Sequence, residues 1–173
     1  MNLLILGGEH SKNKEWIKQL KGIFSPLFDN IYLQEYLHWQ KNESSINLNI
    51  EASRLKDFNN VQPLVIFAKS AGIFVTIKAF QLGIIEPKAA IFVGFPLFMA
   101  LKFEKENEFL DTSFKISLFQ HSNDPAGSYK DVRNYLTNII NSNFEITEIA
   151  GNTHSYFEID LFKNKFQELL KEL

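Results

Sequence analysis

The chain has 173 residues, a length that fits one domain with a single buried core. It carries 18 Lys and Arg against 20 Asp and Glu, and the basic residues are scattered, so a nucleic-acid partner is excluded. The absence of cysteine excludes disulfides, thiolate metal sites and a cysteine nucleophile. No His, Asp or Glu pair has ligand spacing on one helix face, and we expect neither a metal nor a cofactor.

The first apolar run covers residues 2–6 and ends at Gly7-Gly8. It is far too short for a signal peptide or a membrane span, and no basic segment precedes it. We therefore expect a cytoplasmic protein without a membrane partner.

Short apolar or alternating segments, separated by turn residues and helical patterns, predict six strands. They cover residues 2–6, 31–34, 64–67, 89–93, 115–120 and 144–149. Apolar residues at helical spacing predict helices between the strands. These cover residues 11–23, 50–59, 73–80, 129–140 and 162–173. The mixed segment 97–113 is either a short helix or a small cap over a pocket.

Alternation of strands and helices predicts a three-layer α/β/α fold with a six-stranded parallel sheet, forming one domain over residues 1–173. The first, third and fourth strands are continuous apolar runs and should be central. The sixth alternates and should be an edge strand. Strand order 2-1-3-4-5-6 satisfies these conditions with right-handed crossovers throughout.

A serine follows the third strand in the segment Ala68-Lys69-Ser70-Ala71-Gly72. In a sharp turn between a strand and a helix, small residues two positions before and after a serine let its hydroxyl project above the sheet. The usual form has glycine at both small positions, and alanine replaces the first one here. The alternative is that Ser70 only caps the following helix.

A serine nucleophile needs a base, and the carboxyl ends of the strands are where one should lie. His154 is favoured because it lies in the loop after the sixth strand and can reach over the serine. His10 and His121 also follow strands, and His38, after the edge strand, is the least expected.

A histidine base needs a carboxylate to orient it. Asp124, after the fifth strand, is well placed, although Asp124-Pro125 is also an ordinary turn sequence. The order Ser70, Asp124, His154 is the order of nucleophile, acid and base in the hydrolase fold.

The chain resembles a small, lidless α/β-hydrolase over nearly its whole length, near the dienelactone-hydrolase and serine-esterase branches. The resemblance implies a minimal α/β-hydrolase fold without the two leading strands of larger members. The motifs that carry it are Leu6-Gly7-Gly8, Ala68-Lys69-Ser70-Ala71-Gly72, Gly94-Phe95-Pro96-Leu97, His121-Ser122-Asn123-Asp124-Pro125 and Gly151-Asn152-Thr153-His154-Ser155.

The activity implied is hydrolysis of a small acyl substrate, such as an ester, through an acyl-enzyme intermediate. The backbone N–H of Ala71 and that of Gly8 or Glu9 would form the oxyanion hole. The substrate pocket is expected to include residues that follow the first and fourth strands. These are His10, Phe95, Leu97, Phe98 and Met99. Lys69 should point into a groove or to solvent, and no catalytic role is expected for it.

Two alternatives stay open at this stage. One is a non-catalytic binding domain on the same scaffold, since a fold does not guarantee an activity. The other is a flavodoxin-like nucleotide or flavin binder, which is disfavoured because Glu9 places a carboxylate where a phosphate would bind.

Overall fold

The structure, a computed structural model, describes residues 1–41, 45–102, 112–137 and 143–173. It contains a parallel sheet of six strands in the order 2-1-3-4-5-6, which confirms the predicted fold class. The strands are β1 (Asn2–Leu6), β2 (Asn30–Gln34), β3 (Leu64–Lys69), β4 (Ala89–Val93), β5 (Lys115–His121) and β6 (Phe144–Ile149).

The register brings the carboxyl ends of the central strands to one edge of the sheet. Leu6 of β1 pairs with Ala68 of β3, and Ala68 pairs in turn with Phe92 of β4. The winding reverses between β1 and β3, so the residues after these strands border the crevice typical of doubly wound sheets.

Seven α-helices lie in the described ranges, and none of them is long and apolar enough to cross a membrane. They are α1 (Asn13–Phe24), α2 (Leu37–Lys41), α3 (Leu48–Ser53), α4 (Ala71–Gln81), α5 (Leu97–Lys102), α6 (Tyr129–Thr137) and α7 (Ile159–Glu172). Two 3-10 helices cover Ser25–Leu27 and Arg54–Phe58.

The helix predicted at 50–59 is divided in the structure. Its α-helical part begins earlier, at Leu48, because the Asn47 side chain caps it by accepting a hydrogen bond from the N–H of Ile50 at 3.1 Å. The rest is 3-10 helix. The end of the helix predicted at 129–140 lies outside the described residues beyond position 137, as does the part of segment 97–113 from 103 to 111.

The core has one layer on each face of the sheet. On one face, rings from α1 and α7 pack on Phe67 of β3, with centroids 5.5 Å away for Phe24 and 5.4 Å for Phe162. On the other face, buried side chains of α3, α4 and α6 form the second layer. Strands β3 and β4 are buried throughout, whereas no residue of β6 is fully buried and Glu145, Thr147 and Glu148 are exposed, as expected for an edge strand.

Candidate active site

Ser70 lies in the one-residue turn between β3 and α4. Its backbone angles are φ 52° and ψ −120°, and it is the only non-glycine residue with positive φ in the described ranges. Such a conformation costs free energy and persists only where its surroundings fix it. Here the N–H of Ser70 donates to the Val93 carbonyl at 3.1 Å.

Gly72 allows α4 to begin directly against the end of β1. A Cβ atom at this position would lie 2.7 Å from the Gly7 carbonyl oxygen and 2.9 Å from the Leu6 Cβ. Two of its three nearest contacts are backbone atoms, which cannot rotate away. The glycine therefore keeps the turn at Ser70 close to the loop after β1.

Gly72→Ala is expected to destabilise the protein by about 2 to 3 kcal/mol, because a methyl group would be forced into closely packed backbone. Gly22→Ala is the matched control, since Gly22 is also helical and a Cβ there meets no atom within 4 Å. That control should be neutral or stabilising by up to about 1 kcal/mol. Urea unfolding of both variants measures the difference, and equal stability would contradict the packing argument.

Asp124 and His154 form a hydrogen-bonded pair. Nδ1 of His154 lies 2.8 Å from Oδ2 and 2.9 Å from Oδ1 of the carboxylate. Because a carboxylate only accepts, Nδ1 donates its proton, which leaves Nε2 free to act as a base. The Asp124 side chain is fully buried, whereas that of His154 is 28% exposed and faces the cavity.

The Asp124 carboxylate is held in its ionised form. Burial acts to raise its pKa, but hydrogen bonds from His154, the Tyr156 hydroxyl and the Ala126 N–H more than offset burial and lower the pKa below the ordinary value. The carboxylate is therefore charged at neutral pH.

Tyr156 is a residue of this site that the sequence reasoning missed. Its hydroxyl donates to Oδ2 of Asp124 at 2.6 Å and accepts from the N–H of His121 at 3.0 Å. Burial raises the pKa of the phenol, so it remains a donor. Gly94, with φ 65°, leaves room for the ring, because a Cβ there would lie 2.6 Å from it. A tyrosine two residues after His154 was the available signal.

His121 lies below the loop that carries His154. Its ring stacks on Tyr156 with centroids 4.1 Å apart, Nδ1 lies 2.7 Å from the Thr153 carbonyl, and Nε2 lies 2.9 Å from Glu158. Both nitrogens thus hold the loop in position, and His121 is 3% exposed.

The loop after β1 lies beside the serine. A Cβ on Gly8 would be 3.3 Å from the Cβ of Ser70. The Glu9 carbonyl lies 2.7 Å from the Trp39 ring nitrogen, which donates to it, and 2.6 Å from Nε2 of His38. The side-chain carboxylate of Glu9 accepts a hydrogen bond from the N–H of Ile46 at 2.9 Å. These bonds fix the loop's backbone next to Ser70.

A cavity of about 490 Å³ opens at this edge of the sheet. Six of the residues that line it were predicted from the sequence to belong to the site, and they come from four separate segments of the chain. They are Gly8, Glu9, His10, Ser70, Phe98 and His154. Asp124 lies behind His154, and Ala71 is buried at the first position of α4, directly after the serine.

The predicted pocket residues Phe95, Leu97 and Met99 are not among the described residues that line this cavity. Phe95 is 1% exposed and packs on Phe74 in the core, and the other two pack against the same core layer. The prediction that these three residues line the pocket is therefore corrected. Helix α5 begins at Leu97, and successive side chains of a helix point in different directions. Phe98 alone reaches the cavity.

The chain has the α/β-hydrolase fold. A protein assigned to the alpha/beta hydrolase superfamily from Xanthomonas campestris pv. campestris superposes with a TM-score of 0.74 at 14% identity over 99% of each chain. Mouse alpha/beta hydrolase domain-containing protein 10 gives 0.75 at 10% identity over 99% of this chain and 90% of its own.

Est1E from Butyrivibrio proteoclasticus, in a structure with ferulic acid bound, gives a TM-score of 0.72 at 13% identity over 99% of this chain and 88% of its own. No family model and no curated protein matches the sequence. The likeness is therefore one of fold, carried over nearly the full length of the chain at low identity.

Proposed function

We propose that the protein is a serine hydrolase that cleaves a small ester or a related acyl substrate. The observation that carries the proposal is the hydrogen-bonded pair of His154 and buried Asp124 on the same cavity as Ser70. The fold is shared with Est1E and with the RedJ thioesterase from Streptomyces coelicolor, which supports acyl-group hydrolysis as the class of reaction.

In this mechanism, Nε2 of His154 removes the proton from the Ser70 hydroxyl as the oxygen attacks the substrate carbonyl. Asp124 keeps the other ring proton on Nδ1 and stabilises the imidazolium that forms. His154 then protonates the leaving group. A water molecule, activated by the same histidine, releases the acyl group from Ser70.

The oxyanion of the tetrahedral intermediate needs backbone donors near the serine. We assign this role to the N–H of Ala71, at the first position of α4, and to the N–H of Gly8 or Glu9. Their support is the fixed backbone after β1 and the short distance between Gly8 and Ser70. The positive end of α4 adds to the stabilisation.

The test is reaction with a fluorophosphonate probe, followed by mass mapping of the modified peptide. Because a fluorophosphonate reacts with activated serines, we expect one adduct on Ser70 in the native protein and none after unfolding in urea. Ser155, which lines the same cavity without a base assigned to it, is the internal control. An unlabelled native protein, or an adduct on Ser155 instead, would contradict the proposal and favour a binding domain.

A further inference from the structure

Lys69 lies in the wall of the cavity, not in solvent. It is the last residue of β3, is only 8% exposed, and borders the same cavity as Ser70. Its ammonium donates to Oδ1 of Asn13 at 3.1 Å and lies 5.2 Å from the centre of the Trp16 ring. Both contacts fix the direction of the side chain.

No carboxylate in the described part of the chain forms an ion pair with this ammonium. Asp124 attracts it, but that carboxylate already accepts hydrogen bonds from His154 and Tyr156. A buried cation without its own counterion is costly unless something else balances it. The open side of Lys69 is the cavity, where substrate would bind.

The protonation of Lys69 reflects this cost. Burial lowers the pKa of Lys69 to about 8, and the attraction of Asp124 acts in the opposite direction. The folded protein therefore releases this proton more readily than the unfolded chain, and its stability should rise with pH between about 8 and 10.4. Below that range the ammonium is charged, and a bound anion would be stabilised by it.

The cavity has other ionisable groups, but they are more exposed than Lys69. His10 and Lys12 lie on its rim with Lys69 in its wall, and Glu9 is the acidic residue beside them. The Glu9 carboxylate is engaged by the N–H of Ile46. Nδ1 of His10 accepts a hydrogen bond from the N–H of Lys12 at 3.1 Å, and Lys12 is exposed, so Lys69 is the buried positive group on the same cavity as Ser70.

We propose that Lys69 determines specificity by binding a free carboxylate of the substrate, so that the preferred substrates are acyl esters or thioesters of small dicarboxylic acids. The inference rests on the proposed hydrolase function and names its substrate class. Lys69 and Ser70 line the same cavity, so an anion bound by Lys69 would share that cavity with a carbonyl held at Ser70.

The experiment compares two substrates that differ in one charged group, mono-4-nitrophenyl glutarate and 4-nitrophenyl pentanoate. We expect the native protein to favour the anionic ester in kcat/KM by at least about tenfold, because a hydrogen bond to a charged group has that effect. Lys69→Met should abolish the preference. The ratio of the two kcat/KM values isolates the effect of the substrate carboxylate, since both esters use the same serine, base and leaving group.

Lys12→Met is the matched control, because it removes the same charge from an exposed residue on the same cavity. It should change the ratio by less than about threefold. Lys69→Gln is a second variant in case the methionine variant folds poorly. In the native protein the preference should also decline above pH 8, as Lys69 loses its proton. Because Asp124, His154, Glu9, His10 and Lys12 also face this region, the same pH series is run on Lys69→Met, where the ratio should not decline above pH 8.

The outcomes separate the two proposals. If Ser70 reacts with the probe but the native ratio is near one, or if Lys69→Met lowers both rates equally, Lys69 has a structural role and the inference is wrong. If Ser70 does not react, the hydrolase proposal fails. Calorimetric binding of glutarate to the native, Lys69→Met and Lys12→Met proteins then tests the carboxylate site without turnover. Equal affinity of the native and Lys69→Met proteins would overturn the inference that Lys69 binds a carboxylate.

Discussion

Ser70→Ala is expected to lower kcat for a short 4-nitrophenyl ester by a factor of roughly 10⁴ to 10⁶. The variant keeps the cavity and the oxyanion donors, but it has no oxygen that can form the acyl-enzyme intermediate. Its KM should change much less than kcat, because the serine hydroxyl contributes little to ground-state binding. Steady-state hydrolysis, with an active-site titration of the native protein to count competent sites, measures the loss.

Two controls make the Ser70 result interpretable. Ser155→Ala removes an exposed hydroxyl from the same cavity and should change kcat by less than about threefold. Circular dichroism of Ser70→Ala should match the native protein, because alanine keeps the Cβ atom and the same turn conformation. Activity within tenfold of the native rate in a folded Ser70→Ala protein would rule out the nucleophile.

The sheet order was predictable because the apolar pattern separates central strands from edges. Strands β3 and β4 are mainly apolar and buried on both faces, whereas β6 carries three exposed polar residues among its apolar ones and lies at the edge. Right-handed crossovers leave few ways of joining these strands, so the pattern was sufficient.

The residues of the candidate site were predictable for a related reason. Parallel strands end at one edge of the sheet, so Ser70, Asp124 and His154 had to lie at that edge if the strands were correct. Their chain order then suggested the roles. The structure adds the contact between Asp124 and His154, which no sequence spacing specifies.

The cavity wall was less predictable, because helix phase decides which side chains face inward. The sequence indicated an apolar segment after β4, but it did not indicate that Phe95 enters the core while Phe98 is 61% exposed at the cavity. The sequence left open whether Lys69 points into a groove or to solvent, and it did not indicate the burial of this residue. Lysine is usually exposed, and only the positions of Asn13 and Trp16 in the folded chain explain its burial.

Asp124→Asn is expected to lower kcat by about 10⁴-fold while leaving the fold intact. The amide of asparagine can donate to Nδ1 of His154, which would place the ring proton on Nε2 and remove the base that Ser70 needs. The loss of negative charge also removes stabilisation of the imidazolium. Asp131→Asn, which changes an exposed carboxylate on α6, is the matched control and should keep nearly native kcat.

The same variant has a defined effect on the pH dependence of stability. The pKa of Asp124 is lower in the folded protein than its ordinary value, so the ionised carboxylate stabilises the fold above about pH 4 and this contribution is lost as the pH falls through the folded pKa. The difference in unfolding free energy between native and Asp124→Asn proteins should therefore be larger at pH 7 than at pH 3.5. A difference that does not vary with pH would show that the carboxylate is not held ionised by His154 and Tyr156, and a native kcat in Asp124→Asn would remove it from the mechanism.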